Sequence, residues 1–380
     1  MPPPAPSALP LRVGSSGDYP PFSLRAPGGE LTGFDVAVAE AFTRARGRRL
    51  ELVPFRWPDL SAALARGDFA VAMSGVTIRP ERLWQGRFTD AVVRTAAVLL
   101  LRRTAPRTPA VAVNRGGHLE RVARATLPDV RLVVVDDNRA LGMLLRDGRV
   151  DGIVTDELEA AALAPELAGV PLEAPRVLAR DRKAYWLPPD AAALADELDT
   201  WLRAAEQGGT LPALRARFGL PDDAAMPAAT AHACDLVGRR MMLMPAIAAA
   251  KQAAGRPIVD PAREAVVLAR AEQAAVRLGL APAPYVALTR ALVGAAVAAQ
   301  QAVVVPRGAA ATAALPDLET LRLALDRIDA ALAPALAEAV PLETTVAVLS
   351  GRLVEDAGGT LDASAARALA RALRALRRTS

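Results

Sequence analysis

Two carboxylates three residues apart, Asp156 and Glu159, follow the apolar run VDGIVTD. At helical i, i+3 spacing they share one face. Two carboxyls that close beside a bound anion do not both ionise cheaply, so one stays protonated near neutral pH and can serve as a general acid. Thr77 and Arg82 stand in MSGVTIRPER, after a strand candidate at 69–75. A hydroxyl and a guanidinium together suit a carboxylate, which Arg grips through two N–H donors. Gly116-Gly117 precedes a helical stretch, where backbone N–H groups can cradle an anion. Each feature alone also has an ordinary reading: Arg82 as a surface cation, Glu159 as a solvated helix residue, the glycine pair as a turn.

A second set lies further on. Arg240 and Lys251 are spaced for one face of a continuous helix, about 16 Å apart along its axis. With Met244 and Ile247 between them, they can grip a dianion against an apolar floor. Asp260-Pro261 is a helix start, Asp as N-cap and Pro at N1, which puts Arg263 and Glu264 in the first turn. Ala296 and Gln300 stand i, i+4 on an Ala-rich stretch, where small residues allow close approach of a ligand. The ordinary reading is a bundle with a charged surface. Of 46 basic residues only two, Lys183 and Lys251, are lysines. In so Arg-rich a chain each marks a place where a compact ammonium is wanted.

The elements that must position these residues fall into two styles. Up to about residue 218, short β-like runs alternate with helix-like runs, the pattern of an α/β fold with largely parallel sheets. Residues 219–233 read as a linker of Pro, Asp and small residues. Beyond it the pattern is helical, with candidates at 234–254, 261–278, 282–305, 317–333 and 361–378. Pro245 predicts a kink or break in the first of these. The aromatics divide the same way: after Phe218 only Tyr285 remains.

Composition excludes several classes. The 380 residues carry 52% hydrophobic and 23% charged residues, a globular balance. One cysteine, Cys234, allows no intrachain disulfide or Cys-cluster metal site. Two histidines, His118 and His232, argue against a His-based metal site or triad, and no cofactor is expected. Net charge is +5, but the basic residues are scattered with few aromatics among them, which speaks against nucleic acid. Arg367, Arg371, Arg374 and Arg378 share one helical face and read as solvated. No uncharged apolar run of about 18 residues predicts a membrane span. The Pro-rich start, MPPPAPSALP, does not read as a signal peptide.

The segments GDYPPFS (17–23), GFDVAVAEAF (33–42), VPFRWPDL (53–60), AMSGVTIRPER (72–82), NRGGH (114–118), DGIVTDELEA (151–160), RKAYWLP (182–188) and WLRAAEQGG (201–209) occur in order. They resemble the two-lobed solute-binding proteins for polar amino acids, and more narrowly the cyclohexadienyl dehydratases built on that fold. The resemblance covers residues 9–220. It implies one lobe of about 9–102 with 190–220 and a second of about 103–189. It also implies conversion of prephenate to phenylpyruvate, and of arogenate to phenylalanine, with loss of water and CO2. By it Glu159 would protonate the departing ring hydroxyl, Asn114 would position it, and Trp57 would wall the ring. Thr77 and Arg82 would hold a carboxylate. Asp156, which meets an amino acid's ammonium in the binding-protein relatives, would help keep Glu159 protonated. Asp18, Tyr19, Gly116, Gly117 and His118 would line the pocket. Ala97 stands about where relatives carry a lysine, and His118 where a Thr is usual.

The setting RR…K…GRPIVDPARE…AQQ resembles the all-helical chorismate mutases, and LETLRLALDRID places Arg322 where the secreted class has an extra active-site arginine. This covers residues 234–380 and implies the pericyclic conversion of chorismate to prephenate. Lys251 and Gln300 would face the breaking ether oxygen, Arg240 and Arg322 the two carboxylates, and Glu264 the ring hydroxyl. Arg263 and Asp260 would add charge beside them. The product of one half is the substrate of the other. The expected fold is therefore a two-lobed α/β periplasmic-binding-protein-like domain, a linker at 221–233, and an all-α chorismate mutase domain. The resemblance implies a periplasmic enzyme, its signal absent from this chain, with chorismate and prephenate as substrates, no membrane or nucleic-acid partner, and a homodimer. Two alternatives stand beside it. One is a non-catalytic binding protein for an amino acid or aromatic acid fused to an active mutase; the other is a helical domain serving dimerisation alone.

Overall fold

A computed structural model describes residues 9–115, 117–138, 140–222, 226–303 and 316–379. The chain forms two compact units. One contains the residues up to Thr77 together with Ala91–Asp222; the other contains Ile78–Asp90 and the chain after Asp222.

Beside a small antiparallel sheet of Asp18–Tyr19, Ser23–Arg25 and Leu31–Thr32, the first unit has two larger sheets. In one, Leu50–Pro54, Leu11–Ser15 and Val71–Ala72 run parallel and Trp186–Leu187 joins antiparallel. Phe22, Phe34, Val38, Phe42, Tyr185 and Trp201 pack in its core. In the other, Arg131–Val135, Ala110–Asn114 and Gly152–Asp156 are parallel, and the antiparallel Val93–Leu101 and Arg176–Lys183 complete it. Strand Val93–Leu101, expected in the first lobe, is therefore part of the second sheet. All nine of its residues are buried or half-buried, and it pairs with Gly152–Asp156 on one side and Arg176–Lys183 on the other, which a lobe boundary at 102 does not allow.

The parallel strands end at Ser15, Asn114, Val135 and Asp156. Just beyond them in the chain stand Asp18 and Tyr19, His118, Asn138 and Glu159. Ligands of open α/β sheets bind in this crevice, outside the carboxyl ends of the strands.

The second unit is helical: Ala228–Met242, Met244–Ala253, Pro261–Arg277, Pro282–Gln301, Leu318–Ala339, Val346–Asp356 and Ala363–Arg374. The predicted break at Pro245 occurs two residues earlier, at Leu243, with Pro245 in the first turn of the new helix. Residues 228–233 of the expected linker are already helical. Gly238 lets Ala228–Met242 lie against Val346–Asp356, because a Cβ there would collide with Asp356. Asp260, Asp317, Thr345 and Asp362 cap their helices by accepting from backbone N–H groups two or three residues on. Helix Pro282–Gln301 is long and apolar enough to cross a membrane by length and composition. Its Tyr285, Leu288, Leu292, Ala295 and Ala299 are buried.

Segment Ile78–Asp90 folds with these helices. Buried Arg239 donates to the carbonyls of Phe88 at 2.9 Å and Thr89 at 2.5 Å, Arg327 donates to that of Leu83 at 3.2 Å, and His232 pairs with Asp90.

Candidate functional sites

In the first unit the chemistry centres on Lys183, whose side chain is 4% exposed. Its ammonium lies 3.0 Å from Asp156 Oδ2, donates to Tyr19 Oη at 2.9 Å and donates to Thr77 Oγ1 at 3.0 Å. Tyr19 donates in turn to Asp156 Oδ2 at 3.1 Å. The other Asp156 oxygen accepts from Thr95 and from the Leu158 N–H at 3.0 Å. Asp156 is thus both cap of the helix Glu157–Leu163 and floor of the cluster. Lys183 reaches it because Arg176–Lys183 pairs with Val93–Leu101. Ala97 lies directly across the sheet from Asp156 and offers no charge.

Glu159, in the first turn of that helix, is buried. Its Oε1 accepts from Asn138 Nδ2 at 2.6 Å and its Oε2 from Thr155 Oγ1 at 2.8 Å. Burial pushes its carboxyl up to about 7, and the Asp156 carboxylate pushes the same way. The Thr155 and Asn138 hydrogen bonds and the Lys183 ammonium oppose this. The main cause is therefore loss of water, with the neighbouring carboxylate secondary.

Trp57 stands edge-on to Tyr19, ring centroids 5.8 Å apart, and its Nε1 donates to Asp18 Oδ1 at 3.1 Å. His118, first residue of the helix His118–Thr126, pairs through Nε2 with buried Asp181 Oδ1 at 2.7 Å. Gly117 is the cap of that helix, and Gly116 lies outside the described residues. Thr77 is held in place from below. Buried Asp35 accepts from the Gly75 N–H at 2.5 Å and from Tyr185 Oη at 3.2 Å. Gly75 has φ +63°, and a Cβ there would meet the Tyr19 and Phe22 rings, so only glycine lets the loop pass.

Of the predicted set, Asp18, Tyr19, Trp57, Thr77, Asp156 and Glu159 come together. Asn114 ends its strand half-buried, and Asn138 makes the contact to Glu159. Arg82 belongs to helix Pro80–Gln85 in the other unit, where burial lowers its guanidinium to about 10. Lys183, Asn138, Thr95 and Asp181 were not among the predicted residues. Lys183 was visible as one of two lysines, and Asn138 as a polar amide just past the strand Arg131–Val135.

In the helical unit the break at Leu243 puts Arg240 and Lys251 on different helices, so they do not share one helix face as their spacing implied. Lys251 donates to the Ile258 carbonyl at 2.8 Å. Its ammonium is lowered by burial and by the Arg263 and Arg322 cations, with Asp260 and Glu264 opposing. Arg322 is likewise lowered, by burial and then by Arg263 and Arg256. Cations that depress one another form a site for an anion. Arg240 donates through Nε to Asp329 Oδ1 at 2.9 Å, and its buried Nη1 has no hydrogen-bond partner among the described residues. Asp329 and Arg322 stand i, i+7 on helix Leu318–Ala339, so they share a face about 10 Å apart. Gln300 is buried; its Nε2 donates to Met244 Sδ at 3.5 Å and its Oε1 has no partner among the described residues. Met244 and Lys251 bear the same i, i+7 relation. Lys251, Asp260, Arg263, Glu264 and Arg322 are thus grouped, while Arg240 and Gln300 lie two turns along the flanking helices. Ala296 is buried one turn before Gln300.

Residues 11–221 match the bacterial extracellular solute-binding proteins, family 3, and residues 231–301 match chorismate mutase type II. The chain is 38% identical over 215 residues to a cyclohexadienyl dehydratase of Pseudomonas aeruginosa, covering 53% of this chain and 79% of that protein. It is 26% identical over 217 residues to an L-cystine-binding protein of Escherichia coli, covering 55% of this chain and 82% of that one. Among solved structures, a putative binding component of an ABC transporter from Wolinella succinogenes, complexed with lysine, superposes with a TM-score of 0.52 at 22% identity. That match covers 56% of this chain and 96% of the other and bears on the fold alone.

Proposed function

Because the chain belongs to the family 3 bacterial extracellular solute-binding proteins and continues into a type II chorismate mutase domain, we propose that it is a bifunctional enzyme taking chorismate to prephenate and prephenate to phenylpyruvate. One observation carries the second step. Glu159 is a buried carboxyl whose proton is held to about pH 7, at the strand-end crevice of a relative of a dehydratase. A solute-binding site needs no such acid.

In the dehydratase step prephenate loses CO2, and the electrons left by the C–C bond flow into the ring. The ring C–O bond breaks, and the hydroxyl takes the Glu159 proton and leaves as water. Glu159 then recovers a proton from solvent. Asn138 and Thr155 hold the carboxyl in place, and Trp57 and Tyr19 form the apolar wall of the ring site. Aromatisation drives the reaction, and the proton donor lowers its barrier by about 10²–10⁴ in rate.

In the mutase step one C–O bond breaks as a C–C bond forms, with no proton transfer. Charge develops on the ether oxygen, and donors aimed at it in a dry site act as an oxyanion hole does. Lys251 takes that role, and Gln300, like Arg240, contributes from further along the groove. Arg322 and Arg263, with Arg240 further along the groove, bind the carboxylates and hold the folded conformer. The solute-binding family and the dehydratase relative support a periplasmic location, and dimerisation through the helical domain belongs to the same reading. Incubation with prephenate alone tests the dehydratase half. Phenylpyruvate release supports it, and tight binding without release makes the first unit a binding protein.

A further inference from the structure

We propose that Asn138 sets the strength of the acid at Glu159: its amide claims Oε1 as the acceptor oxygen, leaves the transferable proton on Oε2, and grips the carboxylate harder as that proton departs. The inference rests on the dehydratase reading for its reaction and goes beyond holding the carboxyl in place.

The two hydrogen-bond partners of Glu159 differ in kind. Thr155 Oγ1 is a hydroxyl, which donates or accepts as its proton turns, so it suits a carboxylic acid and a carboxylate alike. Asn138 Nδ2 can only donate. It stands 2.6 Å from Oε1, and a carbonyl oxygen accepts better than the oxygen of a C–OH group. In the neutral acid Oε1 is therefore the carbonyl, and Oε2, 2.8 Å from Thr155 Oγ1, bears the hydrogen.

The amide has no other visible task. Asn138 is half-buried just past the strand Arg131–Val135, and its Oδ1 is buried with no partner among the described residues. The hydrogen bond its side chain makes there runs to Glu159, 21 residues away. An Asn placed to brace its own turn bonds to the neighbouring backbone instead.

Catalysis makes Glu159 charged. As the ring C–O bond breaks, the Oε2 proton passes to the hydroxyl, water leaves, and the carboxyl becomes a carboxylate. A hydrogen bond to an ionised acceptor is about twice as strong as one to a neutral acceptor. The Asn138 contact thus strengthens toward the transition state, which is what lets an interaction raise a rate. The same bond draws the Glu159 pKa down, against the burial that lifts it to about 7. Asp156, Lys183 and Tyr19 also face Glu159, and changes at position 138 leave all three in place.

Removing the amide should therefore move two readouts in opposite directions. Glu159 keeps its proton to higher pH but surrenders it less readily. In Asn138→Leu, which preserves volume, prephenate kcat at pH 6 should fall about tenfold or more. The alkaline midpoint of the profile should rise by about half a pH unit or more, with KM little changed. Asn138→Asp keeps the shape and replaces the donor with a negative charge, so its midpoint should rise further. A lower rate with an unmoved or lowered midpoint makes Asn138 a brace and overturns the proposal, as does an unchanged rate. If the Leu variant does not fold, the Asp variant decides by the same signs. Absence of prephenate turnover by the unaltered protein sinks the dehydratase reading alone. The Glu159 carboxyl is then titrated by NMR of the full chain carrying isotope-labelled glutamate, its resonance identified by its loss in Glu159→Gln. A higher midpoint in Asn138→Leu supports the role given to Asn138, and an unmoved one overturns it.

Discussion

The dehydratase step should follow the protonation of one carboxyl. Glu159 works as an acid, so activity belongs to its protonated form and is lost as pH rises through its pKa. Its ordinary value is 4.5, and burial raises it to about 7. At the ordinary value roughly 0.3% of the chains would carry the proton at pH 7; at the raised value about half do. The surroundings thus multiply the active population by on the order of 150, which corresponds to about 3 kcal/mol. Prephenate turnover should be near its plateau at pH 6 and fall about 90-fold by pH 9, tenfold per unit at the alkaline end. Glu159→Gln should lower turnover by about 10²–10⁴ at pH 6. Its amide can keep hydrogen bonds to Asn138 and Thr155, so melting temperature should change little, and chorismate consumption should be unaffected. Phenylpyruvate formation followed by absorbance across pH 5.5–9.5 provides the assay. A profile flat from pH 6 to 9, or a Gln variant with full activity, refutes the assignment.

Lys251→Ala should slow chorismate consumption by roughly 10²–10³, the effect of removing one donor to a developing oxyanion, while supplied prephenate is still turned over; an unchanged rate would reduce the helical domain to a dimerisation module. Because burial and two arginines lower the Lys251 ammonium, mutase activity should decline on the alkaline side below the usual lysine range, measured as kcat/KM for chorismate against pH. Arg239→Ala leaves Asp235 buried beside a lost guanidinium and frees the Phe88 and Thr89 carbonyls. It should cost about 3–5 kcal/mol in urea unfolding, and a loss below 1 kcal/mol would show that Ile78–Asp90 does not depend on it. Gly238→Ala should destabilise the helical unit, because its methyl group collides with Asp356, read as a lowered melting temperature.

Much of the secondary structure and the break near Pro245 were readable because they are local: periodicity, caps and a missing N–H act over a few residues; helix Val346–Asp356 was not among the helices expected. What was not readable depended on chain segments distant in sequence. Lys183 meets Thr77 and Tyr19 only because its strand returns between the sheets, and Asn138 reaches Glu159 across a helix and a strand. The spacing of Arg240 and Lys251 suggested one helix face, and a change of helix direction at Leu243 cancelled that geometry. Ile78–Asp90, which lies in an α/β stretch of sequence, folds with helices more than a hundred residues later through side chains such as Arg239. Burial of Glu159 was likewise invisible in a polar run, although the identity and position of the residue were not.

The decisive experiment gives the full chain chorismate alone and follows chorismate, prephenate and phenylpyruvate together. Two working sites predict loss of chorismate, a transient of prephenate and accumulation of phenylpyruvate. Prephenate that accumulates and persists, with no phenylpyruvate, contradicts the role given to Glu159; chorismate that decays only at its uncatalysed rate contradicts the role given to the helical unit.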